Sequence, residues 1–87
     1  MKKLLSATYI GEFQILLIYE KEKPRVFDFK PWLKKNLGDF ENLKDESVFK
    51  KFEILKGWNT IEWLNGFDIS PEVLYESSYL SNLTKVV

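Results

Sequence analysis

The chain has 87 residues, with 13 basic and 13 acidic side chains, no cysteine and no histidine. A chain of this length forms one core, so we expect a single domain spanning residues 1–87. The absence of cysteine excludes disulfides and thiolate metal sites, and the absence of histidine removes the commonest general base and metal ligand. The balanced charge provides no net field to attract a polyanion such as nucleic acid.

The amino terminus predicts neither a signal peptide nor a membrane anchor. The apolar pair after Lys2-Lys3 is interrupted by Ser6, Thr8 and Gly11 before it reaches the length of a signal sequence. No segment approaches the roughly 20 apolar residues that a membrane-spanning helix requires. We therefore expect a cytoplasmic protein with no membrane partner.

The first third of the chain predicts an antiparallel sheet. Residues 4–10 and 13–20 read as two strands joined by a turn at Gly11-Glu12, and residues 25–29 alternate as a third strand. The remainder predicts short helices, a second hairpin and a final helix.

The second strand is apolar on both of its faces. Phe13, Ile15, Leu17 and Tyr19 share one face, and Leu16 and Ile18 occupy the centre of the other. Such a strand is either central in a sheet covered on both sides or has its second face covered by a partner chain.

Beyond residue 30 the sequence predicts a helical turn or two at 32–37 and a short helix at 45–52. Residues 52–63 predict a hairpin whose turn lies at 56–59, and Pro71 to about Leu80 predicts the last helix. The fold class is therefore α+β: an amino-terminal antiparallel hairpin or three-stranded sheet, a short helix, a second hairpin and a carboxyl-terminal helix.

A turn and a helix cap are predicted between the second hairpin and the last helix. Asn65-Gly66 tolerates the positive φ that reverses a chain. Ser70 suits the N-cap and Pro71 the first helical position, while Asp68 is the alternative cap. We assign these five residues a structural role.

Several of these elements recur together in one known family. The shared blocks, in chain order, are Phe27-Asp28-Phe29-Lys30-Pro31, Asn42-Leu43-Lys44-Asp45, Val48-Phe49, Thr60-Ile61-Glu62-Trp63, Asn65-Gly66-Phe67-Asp68-Ile69 and Pro71-Glu72-Val73-Leu74-Tyr75. By these blocks the chain resembles domain-of-unknown-function family 2442, small bacterial α+β proteins, over about residues 8–76. It departs from the family pattern at Lys21-Glu22-Lys23, where a turn with glycine is typical, and at Leu64, where proline is common.

The resemblance implies a fold more than a function. The family has no established reaction or catalytic residues. Its members are often encoded beside another small protein or fused to a DNA-binding helix-turn-helix. The resemblance therefore implies a partner or regulator, in a toxin–antitoxin-like pair.

The residues themselves predict no catalytic residue, no metal site and no cofactor. Asp28 and Asp68, with Glu62 and Glu72 near the second, would bind a cation or share a proton only if they converged. Turn chemistry favours the simpler interpretation, in which Asp68 accepts from turn amides and Asp28 closes a strand end. A pocket lined by either aspartate would support an enzyme.

We therefore expect a non-catalytic protein-interaction module rather than an enzyme. The candidate interface residues are Leu16 and Ile18 on the second strand and Trp58 in the predicted hairpin turn. The partner is a second copy or a separate small protein. A nucleic-acid-associated regulator is the alternative, but the sequence does not favour nucleic-acid binding by this chain alone, because Arg25 is its only arginine. A carboxylate-dependent enzyme is the second alternative.

Overall fold

The computed structural model describes residues 2–33, 42–63 and 66–81. Asn65 and Leu64 lie outside these ranges, as does the predicted helical stretch after Leu33. The elements within them are β1 (Leu4–Gly11), β2 (Gln14–Tyr19), β3 (Arg25–Asp28), α1 (Lys30–Leu33), α2 (Glu46–Phe49), β4 (Phe52–Leu55), β5 (Thr60–Trp63), α3 (Pro71–Ser77) and β6 (Tyr79–Leu80).

The strands form two antiparallel units. Four of them make a sheet in the order β1-β2-β3-β6, and β4 and β5 form a separate hairpin. The α+β prediction and the order of its elements are confirmed. The sheet has one strand more than the sequence predicted.

The additional strand begins where the sequence predicted that the last helix continues. Helix α3 ends at Ser77, and Ser78 is extended, with φ −84° and ψ 162°. Arg25 fixes this change of direction, because its Nε and Nη2 donate to the Oγ and carbonyl oxygen of Ser78 at 2.6 and 2.8 Å. A long-range contact therefore overrides the local helical pattern, and Tyr79–Leu80 pair with β3.

The turn of the first hairpin lies one residue later than predicted. Gly11 pairs with Gln14, and the two residues between them, Glu12 and Phe13, have φ values of 52° and 59°. Positive φ at both central positions is the pattern of a type I′ turn, which normally contains Asn and Gly. Phe13 is retained in this conformation by its ring, which packs 5.2 Å from the ring of Phe49.

An aromatic core joins the hairpin to the sheet. Phe29, Phe49 and Trp63 are at most 1% exposed, and each ring lies within 6.0 Å of the other two, centroid to centroid. The Trp63 indole N–H donates to the carbonyl oxygen of Phe49 at 2.6 Å. Such rings bury about 150–250 Å² each, which compensates for the shortness of the chain.

The segment that follows β5 reverses the chain through two backbone hydrogen bonds. The amide of Gly66 donates to the carbonyl of Trp63 at 2.9 Å, and the amide of Trp63 donates to the carbonyl of Phe67 at 2.8 Å. Gly66 has a φ of 84°. Asp68 then forms an isolated bridge with Glu62, which directs the chain towards α3.

Helix α3 begins with a side-chain cap. Ser70 is extended, and its Oγ accepts from the amide of Val73 at 3.1 Å. Pro71 occupies the first turn, where no backbone donor is required. The helix therefore begins at the predicted residue.

Glu12→Asn is expected to raise the free energy of unfolding by about 0.5–1 kcal/mol, because asparagine adopts positive φ more readily than glutamate. Urea unfolding measures the change. Glu20→Asn removes the same charge at a position without positive φ and is the matched control. Equal midpoints for the two variants would contradict the assignment of strain to the turn.

Gly66→Val is expected to lower the free energy of unfolding by about 1–3 kcal/mol. A Cβ at this position would meet no atom within 4 Å, so the cost arises from backbone strain alone. Gly66→Asn, which tolerates positive φ, should lose less. An unchanged urea midpoint for the valine variant would show that the turn does not require this conformation.

Candidate functional site

One face of the four-stranded sheet carries a row of uncharged side chains. The register pairs Thr8 with Leu16, Leu16 with Val26, and Val26 with Tyr79, so these four residues cross all four strands in line. Ile18 lies on the same face of β2. We call the surface formed by these five residues the outer face.

The outer face points away from the core. Leu16 and Ile18 are half-buried, and Tyr79 is 50% exposed. None of the five residues belongs to the core cluster or packs against it, although Val26 is only 3% exposed. Among the residues that the structure describes, the helices and the β4-β5 hairpin contribute their buried side chains to the opposite face.

The two edges of the sheet are less suited to pairing with another chain than its outer face. Strand β1 has irregularities of register between Leu4 and Ser6 and between Tyr9 and Gly11, and such bulges disrupt a ladder. The other edge, β6, has two residues. A partner chain would therefore meet the sheet on its face.

Trp58 is the most exposed large apolar side chain in the described part of the chain, at 70%. It lies in the turn between β4 and β5, where Gly57 and Asn59 both have positive φ. Its amide donates to the carbonyl of Leu55 at 3.1 Å. The Oδ1 of Asn59 accepts from the amide of Leu4 at 3.1 Å, which ties the turn to the start of β1.

A groove of about 520 Å³ lies between this turn and β1. It is lined by two segments that are far apart in the sequence. The first, at the start of β1, contributes Lys3, Leu4 and Leu5, and the second, at the end of β4 and in the turn after it, contributes Ile54, Leu55, Lys56, Gly57 and Asn59. We call it the turn groove. Trp58 is not itself a lining residue, but its two neighbours in the sequence, Gly57 and Asn59, are.

A second cavity, of about 430 Å³, lies beneath α3. It is lined by Lys2, Tyr19, Pro71, Glu72, Tyr75 and Glu76. The Tyr19 hydroxyl is buried and has no hydrogen-bond partner among the described residues, and this burial raises its pKa to about 12. The ring of Tyr75 packs edge-on against that of Tyr19, 5.0 Å away.

The groups beside Tyr19 are already paired with one another. The Tyr75 hydroxyl donates to Glu22 Oε1 at 2.7 Å, and Lys2 Nζ lies 2.7 Å from Glu22 Oε2. Arg25 lies over the Tyr75 ring at 4.3 Å. The hydrogen bonds from Lys2 and then Tyr75 lower the pKa of Glu22.

Of the carboxylates considered for catalysis, that of Asp28 is bonded to the backbone. Asp28 Oδ1 accepts from the amide of Lys30 at 2.9 Å, and Asp68 lies in the bridge with Glu62. Neither aspartate lines the turn groove, the cavity beneath α3 or the smaller pocket of about 130 Å³ beside Trp63. Within the described ranges, no group of three or more acidic side chains is arranged to hold a metal ion.

The described helices are all too short or too polar to cross a membrane.

A family model described as "Protein of unknown function (DUF2442)" matches residues 4–79. No curated protein and no solved structure matches the chain.

Sequence reasoning pointed to Leu16, Ile18 and Trp58 but missed the turn groove and the cavity beneath α3. Both are formed by residues far apart in the chain, such as Lys3 and Lys56. The doubly apolar β2 and a tryptophan in a turn are local signals. No local signal marks a groove between distant segments.

Tyr19→Phe is expected to raise the free energy of unfolding at neutral pH by about 1–3 kcal/mol, because it removes a buried hydroxyl without a partner. Urea unfolding measures the gain, and Tyr79→Phe, at a 50% exposed tyrosine, is the control. A loss of stability in the Tyr19 variant would show that its hydroxyl is satisfied in solution.

The same hydroxyl sets a dependence on alkaline pH. The folded pKa of Tyr19, about 12, lies above the unfolded value of about 10, so the unfolded chain loses its proton first. Ionisation of Tyr19 therefore leaves the free energy of unfolding unchanged below about pH 10 and lowers it as the pH rises towards 12. The phenylalanine variant should lose less stability over that interval.

Proposed function

We propose, for a chain that belongs to the DUF2442 family of unknown function, a role as a non-catalytic protein-interaction module in the cytoplasm. It forms a symmetric dimer through the outer face of its sheet and serves as the regulatory partner of another small protein. The observation that carries the proposal is the in-line row Thr8, Leu16, Val26 and Tyr79, whose members all lie outside the core cluster.

The outer face has apolar area available for burial. A large apolar side chain moved from water to a buried position contributes about 1.5–3 kcal/mol. Leu16 and Ile18 are half-buried and Tyr79 is 50% exposed. Burial of the area that each of them still exposes would therefore stabilise a complex by a part of that free energy. A face of this kind is the usual signature of an interaction site.

A second copy is the occupant that the charges favour. The five residues of the outer face are uncharged. The neighbouring Asp28, opposite Gln14, lies 3.7 Å from Lys30 Nζ and accepts from the amide of the same residue. A two-fold axis would therefore bring neutral rows together without like-charge repulsion, and two-fold dimers are the commonest oligomers.

The size of the surface sets the strength of the dimer. The four strands have eight, six, four and two residues, and at about 4.8 Å between strands and about 3.3 Å per residue they present a face of roughly 300 Å² in projection. Two such faces would bury roughly 600 Å² in projection, which is below the size of stable specific interfaces and typical of weak, transient ones. We therefore expect dissociation in the micromolar range.

A regulatory role beside a second small protein is supported by the family resemblance together with two separate surfaces, the outer face and the turn groove. The rival roles have less support. The outer face carries no lysine or arginine for a nucleic-acid backbone, and the pockets described above do not include Asp28 or Asp68, which the carboxylate enzyme required.

Leu16→Glu is expected to convert the dimer to a monomer. Two carboxylates would be brought together in an apolar interface, and burial of unpaired charges is strongly unfavourable. Sedimentation equilibrium across the micromolar range measures the dissociation constant, which should weaken by at least about 100-fold, equivalent to about 2.7 kcal/mol.

Val48→Glu is the matched control, because Val48 is 37% exposed on α2 and lies away from the outer face. It should dimerise as the unmodified chain does. Amide spectra of both variants verify that the fold is retained. An unmodified chain that sediments as a monomer at tens of micromolar would overturn dimerisation.

A further inference from the structure

We infer that the turn groove binds an acidic segment of a different protein, one that inserts a single large apolar side chain beside Trp58. The inference rests on the proposed function, since it assumes that the module binds proteins. It names the site and chemistry of the second partner. The outer face and the turn groove can be tested independently.

The lining of the groove fits an apolar anchor. Leu5 is 50% exposed, and Ile54 and Leu55 are half-buried, so aliphatic surface is open to solvent along the groove. The volume of about 520 Å³ lies within the usual range of ligand sites, about 300–1,000 Å³. An inserted leucine or phenylalanine would cover this surface.

The charge of the lining selects the flanking residues of the partner. Among the described residues, Lys3 and Lys56 are the charged ones that line the groove, and none of the lining residues is acidic. Glu20, whose amide donates to the carbonyl of Lys3 at 2.9 Å, is not a lining residue of the groove. Acidic side chains on both sides of the anchor would complement the two lysines, and such complementarity accelerates association and selects partners.

Trp58 is held in an exposed position by a structured turn. Two positive-φ residues flank it, its own amide is bonded to Leu55, and Asn59 is bonded to Leu4. Because the turn is fixed, the backbone that carries the indole needs no further ordering on binding, which favours affinity. Tryptophan is the residue most enriched in interface hot spots.

A protein segment fits the groove better than single-stranded nucleic acid does. Binding of bases without sequence preference requires several stacking rings along a cationic track. Of the three tryptophans, Trp58 is the exposed one, because Trp63 is 1% exposed in the core and Trp32 packs against that core. The apolar lining residues of the groove in the described part of the chain are aliphatic, namely Leu4, Leu5, Ile54 and Leu55, and they offer packing rather than stacking.

The test uses the acetylated peptide Glu-Asp-Phe-Glu-Asp as the probe, titrated into the full chain and followed by amide chemical shifts. We expect a dissociation constant of about 0.1–1 mM, since a short peptide has one anchor. Shifts should concentrate at residues 3–5 and 54–59. A charge-reversed peptide, Lys-Lys-Phe-Lys-Lys, should bind at least about tenfold more weakly.

Two variants test the named residues. Trp58→Ala should weaken peptide binding by about tenfold or more, and its fold should persist because the side chain is 70% exposed. Lys56→Glu should weaken binding about fivefold, an effect that disappears at about 1 M salt, where the Debye length is about 3 Å. Lys23→Glu, at an exposed lysine outside the groove, should bind as the unmodified chain does.

The outcomes separate the two proposals. No binding of the acidic peptide, or shifts confined to Leu16 and Ile18, would overturn the groove assignment while leaving dimerisation intact. Peptide binding by a chain that sediments as a monomer would support the groove and overturn the dimer. Binding of labelled oligothymidine at the groove more tightly than the acidic peptide would overturn the protein-segment assignment in favour of nucleic acid.

Discussion

The contact between Trp63 and Phe49 is the interaction on which the rest of the fold depends. It combines a buried hydrogen bond from the indole N–H to a carbonyl oxygen with ring packing at 5.5 Å. Trp63 belongs to the β4-β5 hairpin and Phe49 ends α2, while Phe29 follows β3 and contacts both rings. A buried donor left without this acceptor would cost about 1–3 kcal/mol, so the hairpin has one favoured position against the sheet.

That position determines both candidate surfaces. With the hairpin and helices packed on one face of the sheet, the aromatic side chains are concentrated there, and the five residues of the outer face lie outside that core cluster. The same docking places the turn at Trp58 next to Leu4, where Asn59 forms its hydrogen bond. The outer face and the turn groove are thus two consequences of a core built on one side of a small sheet.

The sequence predicted most of the strands because alternation is a local property. Ile15, Leu17 and Tyr19 are buried as their spacing indicates, and Ser70 and Pro71 begin a helix at the residue where their chemistry favours one. Strand β6 could not be predicted, since Ser78 is extended through bonds to Arg25, 53 residues away. The turn at Glu12-Phe13 was misplaced for a similar reason, because ring packing by Phe13 supports a backbone that its residue types disfavour.

The candidate surfaces likewise include residues that local sequence pattern predicts and a groove that it does not. Leu16, Ile18 and Trp58 were identified from local pattern, while the turn groove requires the hairpin to dock against β1. The orphaned hydroxyl of Tyr19 was equally invisible, because a tyrosine at that strand position has the same pattern as a phenylalanine. Local chemistry predicts which side chains lie on a surface, and only the assembled chain shows what lies between them.

Strand β6 has a consequence for how the protein is made. Val26 in β3 pairs with Tyr79 in β6, which is synthesised much later. The edge of β3 that faces β6 therefore remains unpaired while the ribosome synthesises the intervening segment. An unpaired strand edge is a site for pairing with other chains, and partly folded intermediates expose such edges at the concentrations where aggregation begins. Translation rate and chaperone access during this interval should therefore influence the yield of the folded protein.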